Sequence, residues 1–193
     1  VLDPYRIIER GGVRTAVIGI TASIVPQQAD VFNIGLRFTQ GVEELPGIID
    51  EVKAAGADVI VVQSELGMSQ NIKIAQSFSD IDVMYSAHTH EVTTGALIAD
   101  KDGVTRTDPQ AALSGDDISR LARGATIVVE TNRDMYVGRL DIKLGGDKIV
   151  DFDWQAIPVD ETVVENAAMA QLVAAIEAGD PDWAASVMRS HIL

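Results

Sequence analysis

Four consecutive branched residues, Val59-Ile60-Val61-Val62, follow a helical stretch and a glycine, and that order leaves few folds open. A strand whose apolar residues run without alternation is covered on both faces, the condition met by parallel sheets with crossover helices. Upstream, Leu45, Ile48, Ile49 and Val52 recur at the spacing that lines one helix face, with Pro46 tolerated in the first turn and Gly56 as a stop. Val13 to Ile20 reads as a first core strand entered from a hairpin at Gly11-Gly12, and residues 58–63 as a second. The expected unit is βαβ. Ser69 is read as the cap of a shorter helix running to Phe78, with Ile72, Ala75 and Phe78 on adjoining parts of one face, and residues 81–85 as a third strand.

Beyond this point the pattern changes. Residues 99–124 turn polar, with Asp100-Lys101-Asp102-Gly103 and Ser114-Gly115-Asp116-Asp117, and are expected to form a surface excursion rather than core. Residues 125–130, 136–143 and 148–157 are strand candidates, the last two joined by the turn-rich Leu144-Gly145-Gly146-Asp147. After Pro158 the chain is expected to be helical, with Met169, Leu172, Val173 and Ile176 at core spacing, a stop at Gly179, and Asp180-Pro181 opening another short helix. The fold class expected is α/β, parallel βαβ units followed by antiparallel strands and a C-terminal helical tail.

Composition excludes several functions. A formal charge of -14, from 15 basic and 29 acidic side chains, offers no basic stripe for polymeric nucleic acid. With 47% hydrophobic residues in 193 the chain can bury one sizeable core, yet its apolar stretches fall far short of the roughly 20 residues that cross a bilayer, so no membrane span is expected. The opening residues, including Asp3, Pro4 and Arg6, show no secretory signal. Zero cysteine removes thiolate chemistry and leaves oxygen and imidazole as the ligands for any metal.

Two of the three histidines stand in Ser86-Ala87-His88-Thr89-His90, just after the third predicted strand, and Ser64-Glu65-Leu66-Gly67 leaves the second at the same edge. Ligands of open α/β sheets bind at the carboxyl ends of strands, and neighbouring strands are about 4.8 Å apart, so Glu65, His88 and His90 are candidate ligands of one divalent ion. Imidazole with a carboxylate suits Mn, Fe or Zn better than Ca or Mg, and such an ion activates water near neutral pH. An isolated His-x-His equally fits a satisfied polar loop, and Glu65 a solvated acid. His191 reads as surface or tail, Arg133 as a surface arginine or an anion partner, and Trp154 and Trp183 as packing anchors.

The stretch Gly56-Ala57-Asp58-Val59-Ile60-Val61-Val62-Gln63-Ser64-Glu65-Leu66-Gly67, followed by His88-Thr89-His90, resembles the calcineurin-like metallophosphoesterases, and within them the 5′-nucleotidases. That branch reads Ser-His-Leu-Gly where this chain has Ser64-Glu65-Leu66-Gly67, and Gly-Gly-His-Thr-His where it has Ser86-Ala87-His88-Thr89-His90. Tyr136-Val137-Gly138-Arg139-Leu140-Asp141 is similar to the family's Tyr-Leu-Gly-Arg-Leu-Asp, and the likeness covers residues 5–160. Arg37-Phe38-Thr39-Gln40-Gly41, Gly67-Met68, Ile157-Pro158-Val159 and Ala168-Met169-Ala170 resemble the sulfur-oxidation thiosulfohydrolases, a sibling branch on the same scaffold.

The resemblance implies a partial metallophosphoesterase αββα sandwich. Residues 1–160 would be the C-terminal part of the catalytic domain and 161–193 a helical linker or packing tail. It implies two divalent ions (Mn, Zn or Fe), with Glu65, His88 and His90 in the second-half ligand set, and a small anionic substrate, a nucleotide. No Asp-x-His and no Asn-His pair occurs here, so the N-terminal half of the domain is read as missing and the isolated chain as inactive. Glu65 in place of imidazole adds negative charge, and Thr131-Asn132-Arg133-Asp134 replaces a Gly-rich turn, so thiosulfohydrolase activity and a degenerate anion- or partner-binding domain stand as alternatives. The resemblance also implies a periplasmic or extracellular location.

Overall fold

Val59 to Val62 lies in the middle of a seven-stranded sheet, as its unbroken apolarity predicts. The computed structural model describes residues 3–27, 30–131, 135–164 and 166–179. It opens with an antiparallel pair, β1 (Tyr5–Arg10) and β2 (Val13–Ile20), joined through Gly11 and Gly12 at φ +58° and +81°. Positive φ at both turn residues matches the twist of the flanking strands. A short helix, α1 (Asp30–Asn33), precedes α2 (Leu45–Ala54), which buries Leu45, Ile49 and Val52 and carries Pro46 in its first turn. β3 (Val59–Ser64) then runs parallel to β2, α3 (Met68–Ser77) crosses over, and β4 (Val83–Ser86) runs parallel to β3.

Two local expectations are corrected here. The cap of α3 is Gly67, not Ser69, because the chain leaves β3 and must turn onto the sheet face within three residues. The buried face of α3 is Met68, Asn71, Ile74 and Ala75, while Ile72 and Phe78 only flank the core.

The polar segment is largely exposed, as expected, but carries regular structure. It forms β5 (Leu97–Asp100), β6 (Gly103–Arg106) and α4 (Gly115–Ala122), and β5 is almost wholly buried. Its buried charge, Arg120, is satisfied by neighbours: it donates to Asp100 Oδ2 at 2.8 Å, to Thr105 Oγ1 at 2.7 Å and to the Gly103 carbonyl at 2.8 Å. β7 (Thr126–Glu130) inserts between β4 and β5, parallel to the first and antiparallel to the second, giving the order β1-β2-β3-β4-β7-β5-β6. β8 (Tyr136–Gly145) and β9 (Lys148–Pro158) form a separate antiparallel hairpin.

One core cluster joins α2 and α3 to Ala16, Ile18, Ile60, Val62, Met84 and Val128 on one sheet face. The alternate residues Val83, Ile98, Ile127 and Val129 face Leu121 of α4 and Ile149 and Trp154 of the hairpin. This is a mixed α/β architecture whose sheet has a parallel centre, β2-β3-β4-β7, flanked by antiparallel strands.

The chain divides into two compact units, Val1–Pro158 and Val159–Leu193. The second contains α5 (Ala167–Glu177), which stops before Gly179 at φ +69°. Arg133, Trp183, His191 and the expected helix at Asp180-Pro181 lie outside the described residues. Among the described residues no helix is long and apolar enough to cross a membrane.

Candidate metal centre at the carboxyl edge of the sheet

Parallel pairing brings four strand ends into one row. Ile20 is opposite Ser64, Ser64 opposite Ser86, and Ser86 opposite Glu130. The ladder continues one residue past β3 and β4, since the Glu65 amide donates to the Ile20 carbonyl at 3.0 Å and the Ala87 amide to the Ser64 carbonyl at 2.9 Å. Backbone register therefore fixes where Glu65 and the histidine loop leave the sheet. Beside this row lies an open crevice of about 680 Å³, lined among others by Asp3, Gln63, Glu65, Tyr85 and Ser86. Burial, with Asp141 adding, pushes the Tyr85 phenol above its ordinary pKa.

Of the three candidate ligands, the fold brings two together. Glu65 Oε2 stands 3.7 Å from His88 Nδ1, with 51% and 39% of the respective side chains exposed, so both reach solvent. That gap is too long for a hydrogen bond. Two donors on one divalent ion, each at roughly 2.1 Å, are about 3 to 4 Å apart, so the spacing and the mixed O and N chemistry fit a borderline ion. His90 is exposed, two residues further along the loop. Among the described residues no three histidine or acidic side chains stand close enough to share an ion. The geometry thus contains a pair of donors, with the third candidate nearby in sequence.

The loop itself is unusual. His88 has φ +82° and His90 φ +55°, and among the described residues these are the non-glycine positions with positive φ. Beneath it lies a polar network that sequence reasoning missed. Glu130, 1% exposed, accepts from Ser86 Oγ at 2.6 Å, from Thr89 Oγ1 at 3.0 and 3.1 Å, and from the Glu91 amide at 3.1 Å. Asn71, fully buried on α3, donates to Ser86 Oγ at 2.9 Å and to the Ser64 carbonyl at 3.4 Å, while its Oδ1 has no partner. Such a buried, unpaired acceptor is rare. Thr89 Oγ1 also accepts from the Met68 amide at 3.3 Å, tying the loop to the start of α3. Trp154, expected as a packing anchor, is buried and donates its indole N–H to the Thr93 carbonyl at 2.7 Å.

No family model matches the chain. Over 103 residues, half of this chain, it is 33% identical to an uncharacterized metallophosphoesterase of Bacillus subtilis, covering 21% of that protein. Over 87 residues it is 31% identical to the "Probable 5′-nucleotidase" of Treponema pallidum, covering 45% of this chain and 15% of that one. The fold superposes on the sulfate thiohydrolase SoxB of Thermus thermophilus with a TM-score of 0.73 and 22% identity, over 94% of this chain and 29% of that one. The chain therefore spans about a fifth or less of the length of these two curated relatives.

Proposed function

We propose, from the premise that this chain belongs to the calcineurin-like metallophosphoesterase superfamily, that its protein hydrolyses phosphate esters in the manner of a 5′-nucleotidase, with a small anionic substrate of nucleotide type. Glu65, His88 and His90 would contribute to a centre of two divalent ions, Mn, Zn or Fe, completed by an N-terminal half of the domain. Such a centre supplies Lewis-acid polarisation of the ester and activation of water. The observation that supports this reading is the Glu65–His88 pair, 3.7 Å apart and open to solvent at the carboxyl edge of parallel strands. In this reading residues 1–160 are catalytic-domain material, 161–193 a helical linker or packing tail, and the location is periplasmic or extracellular.

A second reading is a degenerate domain that binds an anion or a partner without hydrolysis. It is favoured by Glu65 where the resemblance expects imidazole, and by only two donors converging among the described residues.

Titration of the chain with Zn²⁺ or Co²⁺, followed at the imidazole signals of His88 and His90, separates these readings. Binding is expected to be weak, because few ligands converge, and to fall about tenfold or more in Glu65→Ala and in His88→Ala. A response unchanged in both variants removes the ligand assignment. In the whole protein, phosphate release from a 5′-nucleotide supports the first reading, whereas sulfate release from a cysteine persulfide-type conjugate assigns it to the thiosulfohydrolase branch.

A further inference from the structure

We infer that Glu130 is the positioning residue of this centre, whose buried side chain holds the loop carrying His88 and His90 through Ser86, Thr89 and the Glu91 amide. The inference rests on the reading of that loop as ligand-bearing and adds to it the residue that sets its shape.

The hydrogen-bond directions carry the argument. Asn71 Nδ2 donates to Ser86 Oγ, so the Ser86 hydroxyl proton is free to point at Glu130 Oε2, 2.6 Å away. The Met68 amide donates to Thr89 Oγ1, which turns the Thr89 proton toward the same carboxyl group at 3.0 Å from Oε1. The Glu91 amide adds a third donor to Oε1 at 3.1 Å. Glu130 is thus the common acceptor at the end of two relayed chains, and relays of this kind strengthen each member.

All three donors lie within residues 86–91, one before His88, one between the two histidines and one after His90. The histidines they bracket have the left-handed backbone that side chains with a Cβ disfavour. A conformation of that cost persists only where the surroundings impose it.

The acceptor is itself held from behind. The Glu130 amide donates to Thr93 Oγ1 at 3.0 Å, the Thr93 amide returns a bond to the Glu130 carbonyl at 2.9 Å, and the Thr93 carbonyl receives the Trp154 indole. The β8–β9 hairpin, β7 and the histidine loop are therefore linked through Thr93 and Glu130 together. Two of the three donors to the Glu130 side chain, Thr89 and the Glu91 amide, belong to the histidine loop, and the third, Ser86, ends the strand that leads into it.

The test uses the full chain with Glu130→Ala, the conservative Glu130→Gln, Thr89→Val, and Asp100→Asn as a destabilised control remote from the loop. Two readouts are followed by NMR: the HN–Hα couplings and backbone shifts of His88 and His90 without metal, and the affinity for Zn²⁺ alone at the His88 ring. Glu130→Ala is expected to erase the left-handed signature at both histidines and to weaken Zn²⁺ binding about 10- to 100-fold. Glu130→Gln, which keeps one acceptor oxygen, should fall between it and the parent. Combining Glu130→Ala with Thr89→Val should add little to the larger single effect. Asp100→Asn should lower the Tm and move neither readout.

Unchanged couplings in Glu130→Ala, or equal displacement by Asp100→Asn, overturns the inference. If Glu130→Ala does not fold, Glu130→Gln and Thr89→Val decide it by the same readouts. A parent chain without any Zn²⁺ response at His88 defeats the ligand reading, while the metal-free couplings still decide the clamp. A responsive parent matched by an equally responsive Glu130→Ala defeats the positioning role and leaves the ligand reading standing.

Discussion

Gly67 closes the turn that delivers α3 to the candidate centre, with φ +87° and ψ +156°. That combination is open in practice only to glycine, and forcing another residue into it costs about 1–3 kcal/mol. A Cβ added there would also lie 2.9 Å from Thr89 Cγ2, the side chain that joins the histidine loop to Glu130. Gly67→Ala should therefore lose about 2–3 kcal/mol of stability in urea denaturation, at the upper end of that range. A loss under roughly 0.5 kcal/mol would mean that the turn re-forms and that Thr89 yields freely. At this scale the legible residues are those whose placement follows from strand ends: Glu65 follows the branched strand β3 and His88 the short strand β4, and parallel register brings them together. Glu130 follows such a strand too, and there the same logic misleads, since an acid after Thr126 to Val129 reads as a strand end reaching water. Its burial is set by Ser86, Thr89 and Glu91, some forty residues earlier in the chain, a pairing that no local pattern announces. The α3 cap was misplaced for a related reason: serine is the commoner capping residue, but the turn's backbone, not capping chemistry, decided the position.

Among the elements, the segment from β5 to α4 is largely exposed as its polarity suggests, yet it is ordered around one buried pair. Asp100 and Arg120 meet across β5 and α4 with 18% and 7% of their side chains exposed. A local signal was present: Ser114 and Asp117 form a capping box, with the Asp117 amide donating to Ser114 Oγ at 3.1 Å and the Ser114 amide to Asp117 Oδ2 at 3.2 Å. What could not be read was the long-range order that places β7 between β4 and β5 and so buries β5. Arg120→Ala should cost about 3 kcal/mol, the low end for a broken buried pair, because Asp100 keeps the amides of Asp102 and Gly103. The Arg120 hydrogen bond holds the Asp100 pKa below its ordinary 3.8, so this stabilisation is complete above 3.8 and is lost as pH falls through the lower folded value. Asp82 has the opposite sign. Burial raises its pKa above 3.8, against the bond from the Ile60 amide, so its ionisation opposes folding as pH rises from 3.8 through the folded value. Asp82→Asn retains an oxygen for Ile60 and should raise the Tm at pH 7, the gain vanishing below pH 3.8. Thermal melts should show Arg120→Ala falling away from the parent as pH rises to 3.8 and Asp82→Asn rising above it as pH climbs beyond 3.8, and curves parallel to the parent's in both windows would refute the assignment.

For the molecule as a whole, the governing quantity is the excess of acid, 29 acidic against 15 basic side chains. Several cations already sit in exposed ion pairs, Arg37–Glu43 at 2.6 Å, Lys53–Asp80 at 2.7 Å and Arg139–Asp141 at 2.8 Å. Salt weakens such pairs, but each contributes only about 0–1 kcal/mol. The remaining formal charge of -14 repels itself over the whole surface, and that repulsion destabilises the compact state. Screening shortens its reach from roughly 30 Å at 0.01 M to about 8 Å at 0.15 M salt. The two effects oppose each other, and the uncompensated majority should win. The Tm at pH 7, measured in NaCl with a chelator to exclude divalent ions, should rise as salt increases over that range. The rise should shrink as pH approaches the isoelectric point near 4.4, where the net repulsion disappears. A Tm that falls with NaCl at pH 7 would show instead that the surface pairs outweigh the net charge, and that the acidic excess is spread too thinly to strain the fold.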